Sequence, residues 1–299
     1  KRRKPVAETA GHVQACGEPR SQAGVSLELD DQQFAEWTHL LENRIGLFIA
    51  PERRLFLASG IRSRMRVTGC REYTEYYRRL SSGSPQAREW SLLIDCLTVH
   101  ESCFFRHESS MKLVEEVVLP AALERGESFN VWSVGCATGE EVYSLSMMID
   151  ACLSRQPGDQ CFGMTGTDIS LPSLHHARTG MYLNRRLRDI RQAFQYEYCQ
   201  KVTNSRFRIK KNLRKRVLFF QLNLRNVKHA PFANLGLIYC QNLLIYYTRE
   251  WRLQIVNQLA EFLRPGGVLI LGPGELPDWK HPDMEKVRYA DTLAYRRAD

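Results

Sequence analysis

From about residue 129 to the C-terminus, short apolar runs alternate with amphipathic helical patterns. This alternation is typical of a parallel sheet covered by helices on both faces, because each buried strand is followed by a helix that crosses back over the sheet. The predicted strands are 129–134, 164–167, 217–221, 236–240 and 268–271, and the predicted helices are 140–153, 172–178 and 250–262. The sequence therefore predicts an α/β fold for this part of the 299-residue chain.

One segment of this region, residues 182–216, does not keep the alternation. It mixes arginine, lysine and aromatic residues, and Thr203-Asn204-Ser205 gives a turn signal between residues 196–198 and 207–209. Turn residues between two short apolar stretches favour a hairpin. We predict that a hairpin is inserted into the α/β domain at about residues 190–216.

The first third of the chain has helical periodicity instead. Apolar residues at helical spacing predict four helices, of which the first can be capped by Ser26 or Asp30 and the second runs from Pro51 to a stop at Gly69. The second helix carries apolar Leu55, Ala58, Ile61 and Met65 and basic Arg53, Arg54, Arg62, Arg64 and Arg66. We predict an all-helical domain over residues 26–98, preceded by a flexible tail over residues 1–25.

Charge and cysteine content indicate the surroundings in which the chain works. The net charge of +9 and pI of about 9.1 predict an acidic partner, which could be nucleic acid, anionic lipid or an acidic protein surface. The nine cysteines lie far apart and show no zinc-ligand spacing, which favours reduced thiols in the cytoplasm and no metal site. No apolar run approaches the roughly 20 residues that span a bilayer, so we expect no membrane insertion.

The strongest chemical motif is a strand, a small-residue turn and a helix at residues 131–141. Gly135 and Gly139 allow the turn to bend tightly and approach a ligand, as in nucleotide-binding turns. The next predicted strand ends at Asp168, whose carboxylate is placed to accept hydrogen bonds from both ribose hydroxyls. Because the turn has neither GxGxxG nor GxxxxGK[ST], an adenosyl cofactor without phosphates, S-adenosylmethionine, is favoured over a dinucleotide or ATP.

Two further segments flank this motif. Residues 97–106 precede the α/β domain, and residues 237–247 place Gln241, Asn242 and Tyr246 just beyond a strand end, where open α/β sheets bind ligands. Taken alone, Phe104-Phe105 favours a core position, and packing under the next helix is the simpler interpretation of Tyr246 and Tyr247.

Five segments in order resemble the CheR family of chemotaxis receptor methyltransferases. The family shows LTxNxTxFFR, GCxTGEEPYS, TDI, FxxxNL and CRNxxIYF segments. This chain has LTVHESCFFR at 97–106, GCATGEEVYS at 135–144, TDI at 167–169, FQLNL at 220–224 and CQNLLIYY at 240–247. The resemblance extends from about residue 30 to the C-terminus, and five motifs in order are far more specific than one.

The resemblance implies an all-helical domain followed by a Rossmann-like S-adenosylmethionine-dependent methyltransferase domain over residues 99–299, with the hairpin as part of an inserted β-subdomain. It implies methyl transfer to glutamate side chains of a chemoreceptor. The implied cofactor-binding residues are His100, Ser102, Arg106, Glu140, Asp168, Asn223, Leu224, Asn242 and Leu243, and the implied catalytic residues are Arg106 and Tyr246. Receptor helices are expected to dock on the basic second helix, through Arg53, Arg62, Arg64 and Arg66.

The chain departs from the family pattern at several positions. His100 replaces Asn, Ser102 replaces Thr, Val142 replaces Pro, Gln241 replaces Arg, and Gly272-Pro273-Gly274-Glu275 replaces GxSE. Ser102 keeps the hydroxyl, and a neutral histidine can donate or accept one bond where asparagine does both. These differences suggest a specialised branch, such as one that serves pilus chemotaxis.

The expected chemistry needs little acid–base catalysis. A glutamate with a pKa of about 4.3 is already a carboxylate at neutral pH, so the enzyme mainly has to align it with the methyl group and exclude water. Two alternatives remain open at this point. The basic residues 206–211 beside aromatic residues fit a nucleic-acid methyltransferase, and Gln241 fits a non-catalytic adaptor that binds the cofactor.

Overall fold

The computed structural model describes residues 28–82, 87–98, 102–126, 128–156 and 161–299. The predicted tail at residues 1–25 and the predicted cofactor ligand His100 lie outside the described residues. The N-terminal part contains helices α1 (Asp31–Ile45), α2 (Arg54–Thr68), α3 (Tyr73–Ser81) and α4 (Ala87–Leu97), with a 3₁₀ turn at Pro51–Arg53 before α2.

Local signals in the sequence account for the ends of these helices. Asp30 caps α1 by accepting a hydrogen bond from the backbone N–H of Gln33 at 2.7 Å, and the Gln33 side chain returns a bond to the Asp30 backbone. Gly46 and Gly69 end α1 and α2 in the left-handed conformation, at φ values of 75° and 77°. Among the apolar residues of α2, Leu55 is 66% exposed, and the buried stripe begins at Leu57.

The helices enclose their own core. Its largest buried side chains are Trp37, Leu41, Leu57, Ile61, Tyr76, Leu80 and Trp90. Trp37 stacks on Tyr76 with ring centroids 5.7 Å apart. Arg64 is part of this packing, because its guanidinium donates two hydrogen bonds to the Glu89 carboxylate, at 2.9 and 2.8 Å, and Tyr76 donates a third at 2.7 Å.

The α/β part has a seven-stranded mixed sheet, in the order β6-β2-β1-β7-β8-β10-β9. The strands are β1 (Phe129–Val134), β2 (Phe162–Asp168), β6 (Val217–Gln221), β7 (Leu235–Cys240), β8 (Leu263–Leu271), β9 (Met284–Val287) and β10 (Leu293–Arg297). The five neighbouring strands β6, β2, β1, β7 and β8 are parallel to one another. At the other edge, β10 pairs antiparallel with both β8 and β9. The predicted α/β class is confirmed, but the two edge strands were not predicted because their apolar residues are few.

Helices cover both faces of this sheet. They are α5 (Glu108–Leu113), α6 (Leu119–Glu124), α7 (Glu140–Leu153), α8 (Leu171–Thr179) and α11 (Arg249–Glu261), with a π-helical turn at Val114–Val118 and 3₁₀ turns at Leu224–His229 and Leu244–Tyr246. Neighbouring residues of β1 point to opposite faces, so Val131 joins one apolar cluster and Trp132 the other. None of the described helices is both long and apolar enough to cross a bilayer.

A small antiparallel sheet, in the order β3-β5-β4, is inserted between β2 and β6. Its strands are β3 (Met181–Leu183), β4 (Cys199–Lys201) and β5 (Arg206–Ile209), and the chain also forms a 3₁₀ turn at Asn184–Asp189 and the short helices α9 (Gln192–Tyr198) and α10 (Lys211–Arg214). The hairpin is present, but residues 196–198 end a helix instead of forming its first strand.

Three hydrogen bonds to backbone groups of the helical part join it to the loops of the α/β part. Asn223 donates its side-chain amide to the Arg44 carbonyl at 2.9 Å, and Arg225 donates to the Glu42 carbonyl at 2.7 Å. The Phe48 backbone N–H donates to the Tyr246 carbonyl at 2.9 Å. The last turn of α1 and the segment that follows it are therefore bonded directly to the loops after β6 and β7.

Candidate functional site

The carboxyl ends of β1, β2 and β7 surround a cavity of 280 Å³. This edge is where open α/β sheets bind their ligands, since the connections on either side of the central strand diverge there. The residues that line it include Ser102, Arg106, His107, Glu141, Asp168, Leu224, Tyr239, Gln241, Asn242, Leu243 and Tyr246.

The turn between β1 and α7 forms one wall of the cavity. Gly135 has a φ of 75°, and a Cβ atom at this position would lie 2.6 Å from the Leu243 side chain. Both the left-handed backbone and the close approach of Leu243 therefore require glycine. The backbone N–H groups of Gly135 and Cys136 donate to the Thr167 carbonyl at 2.8 and 2.9 Å, so the turn is fastened to the end of β2.

Asp168 ends β2 and holds the same turn. One carboxylate oxygen accepts from the Ala137 backbone N–H at 2.9 Å, and the other accepts from the Ser170 backbone N–H at 2.9 Å. A carboxylate has about four lone-pair positions, so both oxygens can still accept hydroxyl donors from a ligand. Asp168 is half-buried and lines the cavity, as the sequence led us to expect.

The loop after β7 forms the opposite wall and is shaped by a distant carboxylate. Glu275 is buried, and its two oxygens accept from the backbone N–H groups of Gly272 and Leu244, both at 2.8 Å. Burial raises the pKa of Glu275, while the backbone N–H groups of this loop oppose the rise. Glu275 therefore accepts hydrogen bonds from backbone N–H groups that would otherwise have no acceptor in this tight loop. This role was not predicted from the Gly-Pro-Gly-Glu segment.

Asn242 lies at the tip of this loop. It adopts a left-handed φ of 57°, a conformation that asparagine tolerates better than most residues. Its side-chain oxygen accepts a hydrogen bond from His107 Nε2 at 2.7 Å. His107 follows the Phe-Phe-Arg segment directly and was missed, because its partner is 135 residues away in sequence.

Glu140, which the sequence predicts as a cofactor ligand, is engaged by a neighbouring side chain. Its carboxylate accepts a hydrogen bond from the Thr138 hydroxyl at 2.6 Å, and Glu140 does not line the cavity. The next residue, Glu141, does line it and accepts from the Ser133 hydroxyl at 2.7 Å. Burial raises the pKa of Glu141 to about 8. Adjacent residues lie about 100° apart around a helix, so the sequence pair Glu-Glu did not reveal which side chain faces the cavity.

Asn223 also differs from expectation. Its amide group donates to the Arg44 carbonyl, and its side-chain oxygen accepts from the Arg225 backbone N–H at 3.1 Å, which caps the following 3₁₀ turn. Leu222 and Leu224, on either side of it, line the cavity instead. Asn223 thus joins the two parts of the molecule in this structure.

The other predicted site residues are brought together. Ser102, Arg106, Leu224, Asn242, Leu243 and Tyr246 all line the cavity together with Asp168. These residues fit an adenosyl cofactor, because a carboxylate lies at the end of β2, a glycine turn approaches from β1, and apolar side chains lie between them. The half-buried carboxyl of Glu141 also lines the cavity, where it can meet a cationic group of such a ligand.

Comparisons with known proteins agree with this geometry. Residues 32–98 match the family model of the all-alpha domain of CheR methyltransferases, and residues 100–293 match the model of their S-adenosylmethionine-binding domain. A chemotaxis protein methyltransferase of Borreliella burgdorferi is 26% identical over 258 residues, covering 84% of this chain and 90% of that protein.

Two further relatives have similar coverage. Chemotaxis protein methyltransferase 1 of Pseudomonas aeruginosa is 28% identical over 261 residues, covering 86% of this chain and 94% of that protein. The chemotaxis protein methyltransferase of Escherichia coli is 27% identical over 252 residues, covering 83% and 86%. Since the two family models span residues 32–98 and 100–293, the chain belongs to the CheR methyltransferase family and is an enzyme that uses S-adenosylmethionine.

Proposed function

We propose that this enzyme transfers methyl groups from S-adenosylmethionine to glutamate side-chain carboxylates of a chemoreceptor. The observation that carries the proposal is the cavity at the ends of β1, β2 and β7, which combines cofactor-type residues with Arg106 and Tyr246. Relatives over more than four fifths of the chain are named chemotaxis protein methyltransferases. The free state of the described cysteines supports a reducing compartment, the cytoplasm.

The cofactor is held, in this proposal, by residues from both walls of the cavity. Asp168 accepts the ribose hydroxyls, while Leu224 and Leu243 give apolar contact and Ser102 a hydroxyl. The Glu141 carboxyl meets the cationic end of the cofactor, and a cation there lowers the pKa that burial has raised. When bound, S-adenosylmethionine supplies an electrophilic methyl group on a sulfonium sulfur.

The enzyme has to orient the carboxylate of the acceptor glutamate but does not have to deprotonate it. It is ionised at neutral pH, so the enzyme needs no strong general base to remove a proton. Arg106 is exposed at the cavity and can form two parallel hydrogen bonds to a carboxylate. Tyr246 also lines the cavity, and Asn242 is held by His107, so three polar groups line the space that the glutamate must enter.

The product of this reaction is a methyl ester, which provides the first test. We expect mild alkali to release most of the label from receptor-enriched membranes that were methylated with labelled S-adenosylmethionine, and the released label to be volatile methanol. Hydroxide cleaves an ester, whereas N-methyl and C-methyl groups persist. Label that stays bound after alkali, or that enters RNA instead of the membranes, would contradict the proposal and favour a nucleic-acid substrate.

Substitution of a residue that lines the cavity tests whether methylation depends on that residue. Arg106→Ala should lower the methylation rate about 100-fold, because the loss of one positioned donor costs roughly that much in related sites. Arg188→Ala removes an arginine whose side chain is 80% exposed and which does not line the cavity, and it should leave the rate unchanged. Equal rates in the two variants would remove Arg106 from the proposed mechanism.

The receptor is proposed to dock on the helical domain, residues 26–98, through the basic side chains of α2. The side chains of this set differ in their surroundings. Arg64 donates to the Glu89 carboxylate, which also accepts from Tyr76, and Arg53 stacks on the Phe56 ring at 4.5 Å, so neither arginine is a simple surface charge. Arg62 is half-buried and is hydrogen-bonded to Tyr73, whose pKa is raised by burial against the opposing effect of the Arg62 charge, whereas Arg66 is exposed. We therefore propose Arg62 and Arg66 as the receptor-binding pair and assign Arg64 to stability.

Charge reversal tests this docking surface. Arg62→Glu with Arg66→Glu should slow receptor methylation severalfold at low salt and leave S-adenosylhomocysteine affinity unchanged, because rim charges act mainly on association. The matched control is Lys280→Glu with Lys286→Glu, which makes the same change in net charge at exposed positions outside the helical domain. Equal methylation rates for both double variants would show that α2 is only a solvated basic face.

A further inference from the structure

Two exposed apolar residues, one from each part of the molecule, lie beside the cavity. Phe48, in the segment between α1 and α2, is 46% exposed, and Ile245, in the loop after β7, is 52% exposed. The hydrogen bond from the Phe48 backbone N–H to the Tyr246 carbonyl joins the two segments at this point. Bond lengths alone then place the Cα atoms of Phe48 and Ile245 at most about 11 Å apart. We call Phe48 and Ile245 the apolar ledge.

The loop that carries Ile245 is braced by side chains of other elements. Arg252 donates to the Ile245 carbonyl at 3.4 Å and to the Tyr247 carbonyl at 2.8 Å. Glu275 accepts from the Leu244 backbone N–H at 2.8 Å. A single exposed apolar residue is ordinary on a protein surface. Two of them on segments that are bonded together, one in a braced loop, are pre-organised for contact with a partner.

The position of the apolar ledge indicates what covers it. Ile245 lines the cavity together with Arg106 and Tyr246, the residues proposed to orient the acceptor carboxylate. A glutamate side chain is short, so the backbone that carries an acceptor carboxylate into this cavity must lie across the cavity mouth. The neighbours of that glutamate then meet the exposed groups at the mouth. Ile245 is one of these groups, and Phe48 is bonded to the residue that follows it.

A helix of the receptor suits this surface. Side chains three or four residues apart lie on one face of a helix, so an acceptor glutamate and an apolar residue at that spacing can face the enzyme together. Residues seven apart on a helix are separated by about 10.5 Å, so one helix can contact both Phe48 and Ile245. The chain continues from Phe48 into α2, which carries Arg62 and Arg66. The apolar ledge is therefore continuous along the chain with the proposed receptor surface.

We infer that Phe48 and Ile245 bind apolar side chains of the receptor helix beside the acceptor glutamate, and thereby determine which glutamates are methylated. The inference rests on the proposed function for the identity of the partner. It gives the two contact regions different tasks. The arginine pair attracts an acidic helix, whereas the apolar ledge selects a glutamate that has apolar neighbours.

Serine variants of the apolar ledge test this contact. The substrate is receptor-enriched membranes, and the methyl donor is labelled S-adenosylmethionine. Phe48→Ser with Ile245→Ser should raise the KM for the receptor about tenfold, because exposed apolar surface that binding would cover is lost. The contact is the same before and during methyl transfer, so kcat should change less than about twofold. The affinity for S-adenosylhomocysteine, measured by calorimetry, should also change less than about twofold.

The matched control is Leu218→Ser with Phe220→Ser. These side chains are 58% and 44% exposed on β6 and do not line the cavity, so a similar loss of exposed apolar surface occurs away from the apolar ledge. The KM for the receptor should keep its wild-type value in this variant. Phe48→Leu with Ile245→Leu should recover most of the lost receptor affinity, because leucine restores apolar surface.

Salt dependence separates the apolar ledge from the arginine pair. The Debye length falls from about 30 Å at 0.01 M to about 8 Å at 0.15 M ionic strength, so the effect of reversing Arg62 and Arg66 should diminish over this range. Apolar contacts are not screened by ions. The tenfold difference in KM between the wild type and the serine variant of the apolar ledge should therefore be the same at both salt concentrations.

Four results would overturn the inference. They are an unchanged receptor KM in the serine variant, an equal rise in the control, a rise that leucine does not reverse, and a rise that disappears with salt. A change in sedimentation without a change in KM would also overturn it and would assign the apolar ledge to a second copy of the chain. A wild-type protein that puts no alkali-labile methyl groups on the receptor contradicts the proposed function instead, so the two failures are distinguishable.

Discussion

Replacing Asp168 with alanine is expected to weaken S-adenosylhomocysteine binding at least about tenfold, because a hydrogen bond to a charged group contributes roughly 1.5 to 3 kcal/mol. The structure adds a second reason. Asp168 accepts the backbone N–H groups of Ala137 and Ser170, so alanine also loosens the glycine turn that forms one wall of the cavity. In the proposed site, the ribose hydroxyls and the turn therefore depend on the same carboxylate.

Calorimetry on the folded variant measures this effect, and far-ultraviolet circular dichroism verifies that the sheet is intact. Asp278→Ala is a suitable control, since it removes an exposed aspartate outside the cavity and should bind the ligand normally. Unchanged affinity in Asp168→Ala would remove the nucleoside assignment. Weakened binding of 5′-methylthioadenosine, which carries the same ribose, is also expected for this variant.

Replacing Glu275 with alanine should lower the free energy of unfolding by about 2 to 5 kcal/mol, because at least two buried backbone N–H groups lose their acceptor, at about 1 to 3 kcal/mol each. These groups belong to Gly272 and Leu244, so the loop that carries Asn242 and Leu243 loses its support at the same time. We expect cofactor affinity to fall together with stability, although Glu275 itself does not line the cavity.

Urea denaturation and calorimetry on the same variant test both parts of this prediction. Glu275→Gln should be intermediate, since one oxygen remains as an acceptor while the new amide group faces a backbone N–H. Exposed Glu261 provides a control at the end of α11, where alanine should change the free energy of unfolding by less than about 0.5 kcal/mol. A Glu275→Ala protein as stable as the wild type would disprove the bracing role.

The sequence predicts a residue's position best where its role is determined by residues close to it in the chain. Gly135 and Asp168 follow directly from strand ends, and a strand end determines where the next side chain lies. The helix caps at Asp30 and Gly69 are equally local. In these cases the pattern and the physical cause lie within a few residues of each other.

The missed features depend on contacts between distant segments. Glu275 reaches Leu244, 31 residues away, and His107 reaches Asn242 across 135 residues. Arg64 appeared to be a surface charge until its partner Glu89 was placed beside it, 25 residues on. No periodicity encodes such pairs, because side-chain partners across a fold are selected by tertiary geometry and leave no regular spacing.

The bonds between the helical part and the cavity loops have a thermodynamic consequence. Phe48 is bonded to Tyr246, and Arg44 to Asn223, so the helical part that carries the proposed receptor surface is bonded directly to the loops beside the cofactor cavity. Binding at two sites of one protein obeys reciprocity. Any factor by which a docked receptor changes the affinity for the cofactor is therefore also the factor by which the cofactor changes the affinity for the receptor.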